Sequence, residues 1–124
     1  MNETTQDPSR ARRTHPVVAL VPDLMDRSRL GGRAIEFVNA AALLPVVAAG
    51  ASLVLVDLSR PGVFDVLDAV VESADRVVGF APHVDDEALA LAIGHGVEAL
   101  PRSVFFRRVE ELLDGAAGGD DEPG

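Results

Sequence analysis

The chain has 124 residues, 48% of them hydrophobic, and no cysteine; that length holds one core, burying roughly two thirds of the unfolded surface, and leaves no room for a second domain. Its 20 acidic and 11 basic residues give a net charge of −9, which repels a phosphate backbone and argues against nucleic-acid binding. Without cysteine there is no disulfide framework or thiolate metal site, a reducing cytoplasmic home is the simpler expectation, and no run approaches the roughly 18 apolar residues of a membrane span.

Residues 1–15 are polar, lack the apolar core of a signal peptide and carry a small basic patch, Arg10, Arg12 and Arg13, which reads as a solvated tail. Pro16 opens and Pro22 closes Val17-Val18-Ala19-Leu20-Val21, a short strand buried on both faces. A short helix is expected over 23–29, then a weaker strand over 35–38, with Asn39 as N-cap of an alanine-rich helix over 40–49 that Pro45 shortens. Leu53-Val54-Leu55-Val56, ending at Asp57, is the expected central strand.

Pro61-Gly62 turns the chain, and Phe64, Leu67, Val70 and Val71 recur at helical spacing. The fourth strand spans 77–80. Asp85 or Asp86 caps the next helix, with Leu89, Leu91 or Ala92, and Ile93 on its core face, before Gly94 and Gly96 stop it. The fifth strand spans 97–100, and Ser103 caps a last helix with Phe106, Val109, Leu112 and Leu113 inward. The glycine-rich, acidic stretch 115–124 is expected to be a disordered tail, leaving 16–114 as the domain.

Strands separated by connections of helical length predict an α/β fold: a flavodoxin-like, doubly wound parallel sheet of five strands, order 2-1-3-4-5, in three layers. Chemistry in such a sheet collects at the carboxyl ends of the strands, where Asp23, Asp57, residues 80–83 and residues 101–103 fall.

Asp57-Leu58-Ser59-Arg60-Pro61-Gly62 resembles the loop after the third strand of response-regulator receiver domains of the CheY-like superfamily, in which a phosphoaccepting aspartate is followed four residues on by proline. The resemblance covers residues 17–113 in element order. It implies that Asp57 attacks a phosphoryl donor while Asp23 and Asp57 hold Mg2+, and that a hydroxyl after strand 4 and a lysine after strand 5 meet the phosphoryl oxygens. A carboxylate nucleophile facing a polyanion needs those cations.

The chain departs from this pattern. Pro22 stands where the second acidic residue belongs, and Asp26 lies nearby without matching the motif. Phe80 or Ala81 stands in the hydroxyl's place, and Pro101-Arg102 replaces Lys-Pro. These departures point to an atypical or pseudo-receiver. The reading preferred for Asp57 is the residue that fixes the tight turn before Pro61, and for Asp23 a helix N-cap.

Three functions follow as expectations. The first is a stand-alone signalling module acting through protein contacts, with a partner or a second copy on the face of helix 4, strand 5 and helix 5, and with degenerate phosphorylation chemistry. The second is a magnesium-dependent receiver with Asp57 as phosphoacceptor and Arg102 in the lysine's place. The third is a flavodoxin-like domain binding a small anion through Arg102, Ser103 and His83. His83 and His95 alone make no metal motif. An enzyme of another kind ranks last, since no acid–base pair is set by spacing.

Overall fold

The apolar runs that begin at Val17, Leu53 and Val77 become strands, because β-branched residues suit a pleated surface covered on both sides. The computed structural model describes residues 17–30, 34–82 and 84–121, with side chains up to residue 115; the expectations for residues 1–15 and for His83 lie outside the described residues. The elements are β1 (Val17–Leu20), α1 (Leu24–Ser28), β2 (Glu36–Phe37), a 3-10 turn (Ala41–Leu43) leading into α2 (Leu44–Val47), β3 (Leu53–Asp57), α3 (Val63–Ser73), β4 (Val77–Ala81), α4 (Asp86–Gly94), β5 (Glu98–Pro101) and α5 (Arg102–Asp121). The helical backbone of α5 continues past residue 114, where the sequence predicts a tail.

The five strands form one parallel sheet in the order β2-β1-β3-β4-β5. This is the flavodoxin-like arrangement that the sequence predicts. Alternation along each strand divides the core in two, since successive side chains point to opposite faces. Val18, Leu20, Val54 and Val56 meet Leu44 of α2, Leu67 and Val70 of α3 and Ala92 of α4. Val17, Ala19, Leu53, Leu55, Val78 and Phe80 meet Phe105, Phe106, Val109, Leu112 and Leu113 of α5. Phe105, absent from the expected core, is fully buried and stacked on Phe80 with ring centroids 4.5 Å apart.

Three local expectations change. Asn39 does not cap the following helix: its Oδ1 accepts a hydrogen bond from Arg27 Nη2, and the 3-10 turn starts after Ala40 without a side-chain cap. Ser103 does not cap α5, because β5 runs through Pro101 directly into a helix whose first residue is Arg102, leaving Ser103 exposed inside the first turn. On α4, capped by Asp85 accepting from the Ala88 N–H, Ala92 is buried but Leu91 and Ile93 are 53% and 60% exposed. Residues 88–93 are apolar all round the helix, so only packing selects the inward face.

Candidate functional site

The carboxyl ends of β1, β3 and β4 and the start of α5 bring Asp23, Asp26, Asp57 and Arg102 to one edge of the sheet. Asp57 ends β3, paired in register with Phe80, and is 9% exposed. Its Oδ1 accepts from the Ser59 N–H at 3.0 Å and the Ser59 hydroxyl at 2.6 Å, while its carbonyl accepts from the Arg60 N–H. That is a side-chain-closed turn. It leads to Gly62, whose φ of 80° favours glycine because a Cβ strains the left-handed region. Asp23 is the N-cap of α1, its Oδ1 accepting from the Met25 and Asp26 N–H groups at 2.8 and 3.1 Å.

Asp26 is the residue that motif reasoning passes over. It is 2% exposed, the one buried residue of α1, while Leu24 and Met25 beside it point to solvent. Both of its oxygens accept from Arg102, Oδ2 from Nη1 at 2.9 Å and Oδ1 from Nη2. A bidentate guanidinium is what a dry carboxylate requires, since burying the charge unpaired costs several kcal/mol. The Arg102 guanidinium also lies over the rings of Phe106 and Phe80, 5.1 and 5.7 Å from their centroids. Its pKa is raised first by the hydrogen bonds it donates to Asp26, against the lowering effect of burial, and further by the negative fields of Asp26, Asp57 and Asp23. No local signal marked Asp26 for this role: by side-chain chemistry Leu24 and Met25 are the residues of α1 expected to face inward, and both are exposed.

A magnesium ion here would need carboxylate oxygens free to converge on one point. Asp26 is held by Arg102, Asp23 Oδ1 is held by the first turn of α1, and among the described residues no three His, Asp or Glu side chains are grouped to hold a metal ion. Asp23 and Asp57, whose Oδ1 atoms are committed to the α1 cap and the Ser59 turn, are left as a two-carboxylate set, which is weak for the ion. A fixed guanidinium faces these carboxylates instead. The 11 basic residues of the chain are all arginine, so no lysine exists to meet a phosphoryl group, and Phe80, buried in the α5 core, offers no hydroxyl. Ser103 is exposed on α5, and His95 lies away from this edge at the end of α4, its Nδ1 2.7 Å from Asp68.

No family model matches the chain, and no curated protein matches it. A crystal structure of a response regulator from Hahella chejuensis superposes on 82% of this chain and 94% of its own, with a TM-score of 0.66 and 17% sequence identity. The chain has the receiver fold. The likeness is one of fold, and within the receiver fold the acidic edge is built differently from the pattern that Asp57-Leu58-Ser59-Arg60-Pro61 evokes: Arg102 is bonded to a carboxylate of the chain itself.

Proposed function

We propose that this chain is a receiver-fold signalling module, cytoplasmic and acting through protein contacts, in which Asp57 is a structural residue rather than a phosphoacceptor. The observation that carries this reading is the two-point pairing of Arg102 with buried Asp26. An anion arriving at Asp57 would have to displace a bonded carboxylate to reach the guanidinium, leaving Asp26 buried and unpaired. With no lysine or hydroxyl in place, little remains to offset charge gathering on a phosphoryl group.

Output then depends on surface. Leu91 and Ile93 of α4 are exposed beside the edge strand β5, and apolar side chains at such an edge favour a partner or a second copy on the α4–β5–α5 face.

The test is mass spectrometry of the chain after incubation with Mg2+ and acetyl phosphate, beside Asp57→Asn, which keeps the Oδ1 acceptor for Ser59 and so keeps the turn. No phosphoryl adduct is expected on either protein. A magnesium-dependent adduct absent from Asp57→Asn would overturn the proposal in favour of a working phosphoacceptor with Arg102 in the lysine's place.

A further inference from the structure

The turn that Asp57 closes has a second use. Arg60 and Pro61 form one wall of a cleft of about 220 Å³, whose other walls are Leu20 at the end of β1 and the segment Asn39, Ala40 and Ala41. The cleft lies over β1 and β3, where strand order reverses, the place at which doubly wound sheets take ligands. Its volume lies below the roughly 300–1,000 Å³ of ordinary ligand pockets, which suits a short organic acid better than a nucleotide.

The polar groups in its walls are donors. Arg60 is exposed and, among the described residues, has no carboxylate partner, although the chain carries 20 acidic residues. Asn39 is oriented from behind. Arg27, tied by its Nε to the Val21 carbonyl at 2.7 Å and lying over the Phe37 ring, donates Nη2 to the Asn39 amide at 2.9 Å. A guanidinium has no acceptor, so the bonded atom of Asn39 is oxygen and its NH2 is left to donate. Leu20, Ala40, Ala41 and Pro61 supply apolar wall. One guanidinium in a chain of net charge −9 matches a single negative charge better than two, and the apolar wall gives nothing to an ion hydrated on all sides.

We propose that this cleft binds a small monocarboxylate with a short aliphatic body, its carboxylate on Arg60 and the Asn39 amide and its chain against Leu20, Ala41 and Pro61. The site does not depend on the chemistry of Asp57, so it stands or falls apart from the function proposed above.

The experiment is a 1H–15N NMR titration of the full chain with butyrate, with its neutral isostere butyramide and with inorganic phosphate, at constant ionic strength. Butyrate is expected to give saturable shifts at the Ala40, Ala41, Arg60 and Gly62 amides, and neither butyramide nor phosphate to do so. Arg60→Gln is expected to weaken butyrate roughly tenfold or more by removing a charge-assisted pair. Ala40→Leu, at an exposed position, fills the cleft and is expected to abolish the shifts. Absence of saturable shifts with butyrate, matching shifts with butyramide or phosphate, or undiminished binding in either variant whose spectrum shows it folded overturns the site.

Discussion

Asp26 and Arg102, 76 residues apart in sequence, form a bidentate ion pair in which the carboxylate is buried and the arginine side chain is 40% exposed. The pair ties α1 to the start of α5. Since Leu24 and Met25 face solvent, α1 has little apolar surface of its own to hold it, and the attachment falls to this pair, to buried Leu30 and to Arg29 over the Phe106 ring at 4.3 Å.

Removing one partner leaves the other charge without compensation. Arg102→Met keeps most of the stem on Phe106 but orphans Asp26, and is expected to cost about 3 kcal/mol, the low end for breaking a buried pair because the arginine is partly hydrated. Asp26→Leu combined with Arg102→Met buries no charge and is expected to recover most of that loss. Urea unfolding of the native chain and both variants measures it, and a double variant as weak as Arg102→Met would show that the pair's value is not electrostatic.

Gly79, in the interior of β4, lets the Leu58 side chain lie directly over the sheet; a Cβ there would stand 2.8 Å from Leu58 Cγ and Cδ2. Gly79→Ala is expected to destabilise by about 1–3 kcal/mol through overpacking. It should also displace Leu58, the residue after Asp57, so the Ser59 amide resonance in NMR should move although Ser59 is remote from the new methyl group in sequence.

Leu91 and Ile93 contribute little to the core. Replacing both with Glu is expected to leave stability within about 0.5 kcal/mol while abolishing any concentration-dependent self-association seen for the native chain by sedimentation velocity. A variant that associates as the native chain does would move the contact off α4.

Arg76, preceding β4, and Glu98, opening β5, pair through both ends at 2.7 and 2.8 Å. The hydrogen bonds from Arg76 hold the Glu98 carboxyl below its ordinary range, against a smaller opposing effect of burial. A lowered carboxylate pKa stabilises above the unfolded-state value, and the contribution is lost as pH falls through the folded-state value. Both side chains are 40–50% exposed, so the pair is worth less than about 1 kcal/mol. Glu98→Gln is expected to be slightly less stable at neutral pH, and the difference is expected to shrink as pH falls below the ordinary glutamate range and to vanish below the lowered folded-state value; a pH series of urea midpoints reads it.

The order of elements could be read from local chemistry. Leu53-Val54-Leu55-Val56 between Gly50 and Asp57 has one comfortable conformation, and the spacing of Leu67 and Val70 selects the buried stripe of α3. Where local chemistry was neutral, expectation failed. Ser103 is as good a cap as any serine, but β5 runs into α5 with no connecting residue, so the helix begins at Arg102.

From its own residues the chain determined five strands, their parallel winding and the Asp57 turn, because β-branched runs, helical periods and proline–glycine turns act over a few neighbouring residues. The tertiary structure alone decided that Asp26 faces inward, that Arg102 answers it, and that Leu91 and Ile93 stay outside. An ion pair spanning 76 residues and the inward face of an all-apolar helix depend on which surfaces meet in space, and no local pattern encodes that meeting.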